Sequence, residues 1–479
     1  MNLQESFQFL SSVADTYESI AKYQVSPKVE PGFLRESLPT SAPEKPLPLP
    51  EIITEVFDKI QAGAVQWQHP YFFGYFPSSM SHSTIIAEMF ANAFQTRGAE
   101  WKDNPAQTEI EMVVVDWVVK LMGLPEKFLL KNTGGGTICS SVTHGYFNAV
   151  TVAKYKKMKE LGLDYSSPQK FKFVAYFSEP AFGWSEKSLN LKEIKHQRNI
   201  PVYFNEKVGN YEPNMEEFES IVKKDVDAGL IPFFCVATYG YTATVGFDDA
   251  EAFGKLCKKY GMFLLADAAY ACCFLILEEY RHKFKGLEYL DCLIVNFSKI
   301  FMVSLVGSIF YINDKKLLIE TFSEENLKTD ESIINYKDWA PGCSRKWNSL
   351  KIYFLIKHFG VKGLQKYVRH YIDLAKYLEE LMIQDKRFII VCKREVSAIV
   401  FVVETPEGSE MNKNETQREY YKICLEDTKE GYFSFTHLGH EELLRIVIGN
   451  SNTTKENIEV FWKKLTKCAK IFYETFSKK

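Results

Sequence analysis

Two stretches of the chain, LLADAAYA at residues 264–271 and IVNFSKIF at residues 294–301, establish the expected architecture. Each begins as an apolar run of strand-forming residues and leads to one charged side chain, Asp267 in the first stretch and Lys299 in the second. Such buried strands are typical of parallel sheets, and α/β sheets bind ligands beyond the carboxyl ends of their strands. The two stretches therefore predict an α/β protein with a ligand site at one edge of its sheet.

More short apolar runs alternate with helical patterns across the centre of the chain. Because these runs lack polar alternation and are separated by helices, they predict a mostly parallel sheet covered on both faces. The runs occupy residues 171–177, 201–203, 231–237, 262–266, 292–296 and 308–312.

The first part of the chain is predicted to be mainly helical. Helical spacing at residues 7–23 and 51–61 flanks a proline-rich connector at residues 38–50, where proline favours extended backbone. A further helix is expected at residues 105–122, with Asn104 as its cap and an apolar stripe on one face. This stripe consists of Ile110, Val113, Val114, Trp117 and Leu121.

The last part of the chain mixes strands and helices. Strand patterns at residues 396–404 and 444–449 precede a helical pattern at residues 455–476. Thr453 and Glu456 have the spacing of a capping box for that helix. We therefore expect a smaller α+β unit after the central α/β region.

Composition excludes several classes of protein. The 479 residues include 58 Lys and Arg against 61 Asp and Glu, a net charge of −3 without a basic tract. This balance argues against binding to nucleic acid or to a membrane surface, and no apolar stretch reaches the roughly 18 residues of a membrane helix. The first 21 residues show no signal-peptide pattern, and the 10 cysteines form no CxxC or Cys/His cluster. We expect a cytoplasmic protein with reduced thiols and no metal.

Three features of the central region carry chemistry. They are the glycine run TGGGT at residues 133–137 with Ser141 and Thr143 just after it, Asp267, and Lys299, which lies 32 residues beyond Asp267. Each has a structural interpretation when it stands alone. The glycines could simply form a turn, Asp267 could cap the next turn, and Lys299 could extend its amine to solvent.

Together, these features predict a pyridoxal phosphate site. Burial lowers the pKa of a lysine amine, which would let Lys299 bind the cofactor aldehyde covalently. Asp267 would pair with the protonated ring nitrogen, so that the ring can accept electrons. The glycine turn, Ser141 and Thr143 would bind the phosphate.

The chain resembles the aromatic-L-amino-acid decarboxylases, which are group II pyridoxal phosphate enzymes, over nearly its whole length. The resemblance is carried by VEPGFLRESLPTSAPEKP (29–46), HPYFFGYFPSS (69–79), NPAQTEIEMVVVDW (104–117), ADAAYA (266–271), NFSK (296–299), SLKIYFLIKHFG (349–360) and LLRIVIGN (443–450).

The resemblance implies an α/β fold of the aspartate-aminotransferase type (fold type I), with a mostly parallel central sheet. It implies an N-terminal helical segment that clasps a partner subunit (1–81), a large cofactor domain (82–351) and a small α+β domain (352–479). A homodimer that binds pyridoxal 5'-phosphate and a small amino acid substrate is expected.

The resemblance also assigns functional residues by position. Catalytic roles would fall to Lys299, Asp267 and Asn326. The cofactor would be bound by Ser141, Val142, Thr143, Phe182, Thr242, Asp267, Asn296 and Lys299. The substrate pocket would be lined by Trp67, Tyr75, Phe76, Pro77, Arg97, Ala99 and Ser344.

Several of these positions depart from the family pattern. Phe182 replaces a histidine that stacks on the cofactor ring, and Ser298 replaces the histidine before the lysine. Asn326 replaces a tyrosine that supplies a proton to the substrate α-carbon. Arg97 and Ala99 replace an apolar residue and a phenylalanine, whereas Ser344 stands where plant members that prefer phenolic substrates carry serine.

Arg97 has two interpretations. If Arg97 is buried, Glu100 would be its ion-pair partner. Alternatively, it contacts a substrate with an extra carboxylate, which together with Ala99 would suit a decarboxylase of acidic or small amino acids.

These observations predict decarboxylation of an aromatic L-amino acid (tyrosine, dopa, tryptophan or phenylalanine) to the amine and carbon dioxide. Phe182 and Asn326 favour an alternative, an aromatic acetaldehyde synthase that couples decarboxylation to oxidative deamination. A further alternative is a catalytically weak paralogue that keeps the fold and acts by binding, because three proton-handling positions have changed.

Overall fold

The computed structural model describes residues 10–180, 184–323 and 333–477. The α-helices are α1 Leu10–Ser19, α2 Leu49–Glu55, α3 His82–Phe94, α4 Pro105–Met122, α5 Val142–Glu160, α6 Trp184–Leu191, α7 Met215–Asp227, α8 Ala250–Tyr260, α9 Lys315–Phe322, α10 Ser349–Ile383, α11 Lys413–Leu425 and α12 Lys455–Phe476. The β-strands are β1 Phe72–Phe73, β2 Gly135–Cys139, β3 Phe173–Ser178, β4 His196–Ile200, β5 Val202–Asn205, β6 Asn210–Pro213, β7 Ile231–Thr238, β8 Phe263–Ala268, β9 Cys292–Asn296, β10 Ser308–Ile312, β11 Phe388–Ile390, β12 Ala398–Val403, β13 Tyr432–Leu438 and β14 Glu441–Val447.

The central sheet has seven strands in the order β2-β10-β9-β8-β7-β3-β4. The strands from β9 to β4 pair in parallel, whereas β10 is antiparallel to both of its neighbours. Strands β8 and β9 consist almost entirely of buried residues, because helices cover both faces of the sheet. The predicted mostly parallel sheet is confirmed.

A second sheet has five strands in the order β1-β13-β14-β12-β11. Its strands after β1 come from the C-terminal region, and helices α10 and α11 pack against it. Strand β1 contributes only two residues, which pair in parallel with β13. This short pairing fixes the chain around residues 67–77 to the small C-terminal sheet. The predicted α+β unit is present, and the division of the chain at residues 81 and 351 stays a prediction.

The glycine run was interpreted wrongly. Residues Gly135–Cys139 form the edge strand β2, and the following helix begins only at Val142. A Cβ added to Gly134 would lie 2.2 Å from the carbonyl oxygen of Ile312, and one on Gly136 would lie 2.6 Å from the ring of Tyr311. The glycines therefore permit close packing against the neighbouring strand rather than forming a phosphate turn.

The expected strand at residues 201–203 also differs. It forms part of β5, which pairs with β6 in a separate two-stranded antiparallel sheet. The central sheet instead uses the polar strand β4, in which one of five residues is fully buried. An edge strand needs fewer apolar residues, so its sequence carries a weaker signal.

Helix α4 has the predicted ends, with Asn104 as N-cap and Gly123 in the left-handed conformation after the last turn. Its buried face is different from the predicted stripe, because Val113 is 38% exposed whereas Glu111 is buried. The burial of Glu111 is compensated by Arg345, which donates two hydrogen bonds of 3.0 and 2.6 Å to its carboxylate.

The bounds of α12 match the prediction, but its capping box is formed one residue later than expected. It consists of Thr454 and Asn457, and not of Thr453 and Glu456.

No helix among the described residues is long and apolar enough to cross a membrane. The described residues also contain no cluster of histidine, cysteine and carboxylate side chains suited to a metal ion. All ten cysteines are free thiols, and each except Cys343 is buried.

Candidate active site

The two residues that define the site lie at the carboxyl edge of the central sheet. Asp267 in β8 is in register with Thr238 of β7 and Ile294 of β9. Lys299 is the third residue after β9, and the Asp267 carboxylate is close enough to oppose the fall in the pKa of its amine. The structure therefore brings the predicted lysine and the predicted carboxylate together.

The amine of Lys299 is buried and has no ionic partner. Within the described part of the chain its Nζ forms no ion pair and no hydrogen bond, and it lies 4.9 Å from the ring centroid of Phe76. Burial lowers the pKa of this amine, and the nearby Asp267 and Cys272 only partly oppose that effect. A larger fraction of the amine is therefore uncharged and able to act as a nucleophile.

The loop after Lys299 holds an unusual backbone. Ile300, Met302 and Val306 have positive φ angles of 67, 56 and 70°, which β-branched and bulky residues rarely adopt. The N–H of Ile300 donates to the carbonyl of Pro77, and the N–H of Ser81 donates to the carbonyl of Met302. These contacts fix the loop and with it the position of Lys299.

The carboxylate of Asp267 is 6% exposed and accepts two hydrogen bonds. The hydroxyl of Tyr146 donates to its Oδ2 at 2.8 Å, and the N–H of Ala269 donates to its Oδ1 at 2.8 Å. Within the described residues, Asp267 has no arginine, lysine or histidine in an ion pair. A buried carboxylate in this setting suits a ligand that brings its own positive charge.

The predicted phosphate residues lie at the start of α5 and at the end of β9. Ser141 is the N-cap of α5, and its Oγ accepts the N–H of His144 at 3.2 Å. Val142 and Thr143 follow in the first turn, which has no acidic residue, so the free N–H groups there can bind an anion. Asn296 ends β9, where its Oδ1 accepts the N–H of Ser298 at 2.9 Å.

Two of the predicted pocket residues, Phe76 and Pro77, lie beside Lys299. The ring of Phe76 is 4.9 Å from its Nζ and stacks on Tyr270 at 4.0 Å, and Pro77 contacts the lysine loop through Ile300. The rings of Trp67 and Tyr75 stack on each other at 5.5 Å, pack against Phe72 and are partly exposed. The ring of Phe76 can therefore form an apolar wall of a substrate pocket.

Arg445 completes this region, and sequence reasoning missed it. Its guanidinium lies 4.3 Å from the ring centroid of Phe76 and donates to the carbonyls of Thr242 and Tyr75. Its Nε is buried without a partner, and burial lowers the pKa of the group to about 10. Among the described residues it has no carboxylate partner. The one signal in the sequence was a charged residue inside the apolar run LLRIVI, at residues 443–448.

The other predicted pocket residues lie elsewhere in the chain. Arg97 is exposed and pairs with Asp103, with Nη2 2.8 Å from Oδ2, so its expected burial against Glu100 is wrong. Glu100 instead pairs with Lys102 and Lys337.

Arg97, Ala99 and Ser344 lie in a second region, in which Arg97 and Ser344 are exposed and Ala99 is buried. The N–H of Arg345, next to Ser344, donates to the carbonyl of Arg97 at 2.7 Å, and the N–H of Lys337 donates to that of Ala99 at 3.0 Å. No hydrogen bond or ion pair of the described chain connects these residues to Lys299 or Asp267.

Two predicted residues, Phe182 and Asn326, lie outside the described residues. Ser298 is described, and its hydroxyl donates to the carbonyl of Ser304 at 2.9 Å. The side chain that replaces the family histidine is therefore engaged in holding the loop after Lys299.

The arrangement fits pyridoxal phosphate. An unpaired buried amine, a buried carboxylate without a cationic partner and a helix N-terminus without acidic residues match the aldehyde, the ring nitrogen and the phosphate of that cofactor. Lys299, Asp267 and the start of α5 would hold these three groups.

Lys299→Met should stabilise the cofactor-free protein by about 1 kcal/mol or more at neutral pH. Because the folded state lowers the pKa of the amine, it disfavours the protonated lysine, and this penalty disappears as pH rises toward 10.5. Urea unfolding of both proteins at several pH values measures the difference. A gain that grows with pH would contradict the buried-amine account.

Comparison with known proteins identifies the family. The pyridoxal-dependent decarboxylase conserved domain matches residues 31–404. The chain is 33% identical over 457 residues to phenylacetaldehyde synthase of Arabidopsis thaliana, covering 94% of this chain and 92% of that protein. It is 31% identical over 466 residues to tyrosine decarboxylase 2 of Narcissus pseudonarcissus, covering 96% and 92%.

A solved structure shows the same fold. Tryptophan decarboxylase of Catharanthus roseus, in complex with L-tryptophan, superposes with a TM-score of 0.92 at 27% identity, covering 98% of this chain and 99% of that one. The predicted fold type I architecture is thereby confirmed. The chain belongs to the pyridoxal-dependent decarboxylase family, and its cofactor is pyridoxal phosphate.

Proposed function

We propose that this protein decarboxylates an aromatic L-amino acid to the corresponding amine and carbon dioxide. The observation that carries the proposal is the position of the Phe76 ring, which lies beside both the Lys299 amine and the Arg445 guanidinium. Cofactor attachment, carboxylate recognition and an aromatic surface thus meet at one place. The relatives support this substrate class, since they include tyrosine and tryptophan decarboxylases.

When bound, pyridoxal phosphate supplies an electron sink for the electron pair that the departing carboxylate leaves on the substrate. Lys299 contributes an amine whose pKa is lowered by burial and which lies against the ring of Phe76. Asp267 contributes a fixed negative charge, since Tyr146 and Ala269 hold its two oxygens. That charge would keep the ring nitrogen protonated.

Arg445 is the group that we assign to the substrate carboxylate. A buried arginine without a carboxylate partner is costly, and a bound carboxylate would satisfy its unpaired Nε. The exposed rings of Trp67 and Tyr75 lie close to Phe76 in the chain and can receive an aromatic side chain. Substrate binding would then offset the cost of burying the guanidinium.

One observation favours the second candidate function, an aromatic acetaldehyde synthase. The reaction to an amine needs a proton at the α-carbon, and the Ser298 hydroxyl, which replaces a histidine, is already engaged by Ser304. Without timely protonation, oxygen and water would convert the substrate to an aldehyde, carbon dioxide, ammonia and hydrogen peroxide. One relative of this chain, from Arabidopsis thaliana, is a phenylacetaldehyde synthase.

Product analysis distinguishes these functions. Protein loaded with pyridoxal phosphate is incubated in air with tyrosine, dopa, tryptophan, phenylalanine and glutamate, and the products are identified by mass spectrometry. We expect the amine of at least one aromatic substrate and no peroxide. Aldehyde with peroxide would establish the synthase, an amine from glutamate alone would contradict the substrate class, and no product would indicate a binding paralogue.

Arg445→Gln should lower kcat/KM about 10- to 150-fold, since a hydrogen bond to a charged group contributes about 1.5–3 kcal/mol. The amine product lacks the carboxylate, so its inhibition constant should change less than about twofold. Arg281→Gln is the control, because Arg281 also donates only to backbone carbonyls. Equal weakening of substrate and amine would rule out the carboxylate role.

We further infer a homodimer. Helix α3 exposes Ile86, Met89, Phe90 and Phe94, each between 41 and 55% exposed, and such an apolar face marks an interaction surface. Arg97 is exposed and lies three residues after this helix, so a dimer through α3 would let Arg97 line the partner's pocket. Such a dimer would account for the separation of Arg97 from Lys299 within one chain.

Light scattering should give twice the chain mass of 55.3 kDa. Phe90→Glu should shift the protein toward monomer, whereas Ile383→Glu, on another exposed surface, should not. A monomeric protein with full activity would contradict the dimer.

The nine buried free thiols support a cytoplasmic location, because disulfides are rare in that reducing compartment. Cell fractionation that recovered the protein from an oxidising compartment would contradict it.

A further inference from the structure

Tyr146 connects the two ends of the candidate cofactor site. It lies on α5, one turn after the Ser141 cap at the expected phosphate position. Its side chain is fully buried between α5 and the central sheet, and its hydroxyl lies 2.8 Å from Oδ2 of Asp267. The next residue toward the cap, Gly145, packs against Ile294 of β9. Helix α5 is thus held close to the sheet at the level of Asp267.

The hydroxyl of Tyr146 can only donate in this contact. Burial and the nearby negative charge of Asp267 raise the pKa of the phenol well above 10, so it stays protonated at every physiological pH. A carboxylate has about four sites for hydrogen bonds, and Tyr146 and Ala269 occupy one on each oxygen. Hydrogen bonds to the ionised form favour it over the protonated form.

We propose that Tyr146 is a positioning residue for the cofactor: its hydroxyl holds the Asp267 carboxylate in one orientation, so that the remaining lone pairs of the carboxylate face the ring nitrogen. The proposal rests on the cofactor role assigned to Asp267. It makes the affinity for pyridoxal phosphate depend on a side chain that does not itself contact the cofactor.

A second tyrosine of the chain provides a matched control. Tyr176 of β3 is also fully buried, and its hydroxyl donates to Oδ2 of Asp225 at 3.0 Å. Asp225 lies on α7 and already has Arg198 as an ion-pair partner at 2.6 Å. Tyr176→Phe therefore removes the same hydroxyl from a buried carboxylate that has no assigned role in cofactor binding.

The test measures the binding of pyridoxal phosphate to cofactor-free protein, without substrate, by absorbance titration at about pH 8. Tyr146→Phe should weaken binding roughly tenfold. Tyr176→Phe should change the dissociation constant by less than about twofold.

The Asp267→Asn variant distinguishes a failure of this proposal from a failure of the cofactor role assigned to Asp267. If Asp267→Asn binds the cofactor like the parent protein, the role of Asp267 is wrong. If Asp267→Asn weakens binding and Tyr146→Phe does not, only the role of Tyr146 is overturned.

A double variant gives a second test. Adding Tyr146→Phe to Asp267→Ala should leave the dissociation constant of Asp267→Ala unchanged, because no side-chain oxygen remains at residue 267 to accept from the hydroxyl. A further loss of about tenfold in the double variant would overturn the proposal.

Discussion

Burial of one amine and one carboxylate at the carboxyl edge of the central sheet is the constraint around which the site is organised. Taking an ion from water into a protein interior costs several kcal/mol, so each group needs compensation. Burial lowers the pKa of the Lys299 amine, whereas hydrogen bonds from Tyr146 and Ala269 compensate the burial of the Asp267 carboxylate. Neither group is neutralised by a permanent ion pair within the described residues, which leaves both available to a ligand.

The register of the sheet fixes the position of Asp267, and the loop after β9 fixes the position of Lys299. Asp267 stands in the middle of three parallel strands, where neighbouring hydrogen bonds allow little movement. Lys299 stands on a loop, whose positive φ angles persist only because residues 77–84 hold it. The same N-terminal segment carries the aromatic rings, and the β1–β13 pairing ties it to the sheet that carries Arg445. The loop that carries Lys299 and the sheet that carries Arg445 are therefore connected through this segment.

Local sequence signals predicted a large part of this fold. Strands β9 and β10 and helices α4 and α12 have the expected bounds, because each combines a continuous apolar or periodic pattern with clear ends. Lys299 and Asp267 were recognised for the same reason, as charged residues that directly follow or end such runs. The predicted phosphate turn failed because glycine serves close packing as well as turns, and the sequence does not distinguish the two.

The missed features depend on partners that are distant in the chain. Tyr146 meets Asp267 across 121 residues, and Arg345 meets Glu111 across 234 residues, so neither contact leaves a local pattern. Strand β1 has only two residues, which is too short to show an alternating pattern in the sequence. Arg445 looks in the sequence like a single polar residue that interrupts an apolar strand. Arg97 is a different case, because its partner Asp103 is only six residues away and was overlooked in favour of Glu100.

The central claim is that Lys299 carries the cofactor. Its most direct test is reduction of the loaded protein with borohydride, which fixes the link to the lysine, followed by peptide mapping with mass spectrometry. The account predicts the phosphopyridoxyl group on the peptide that contains Lys299 and on no other peptide. Its recovery on a different lysine, such as the buried Lys351, or on no lysine at all, would contradict the account.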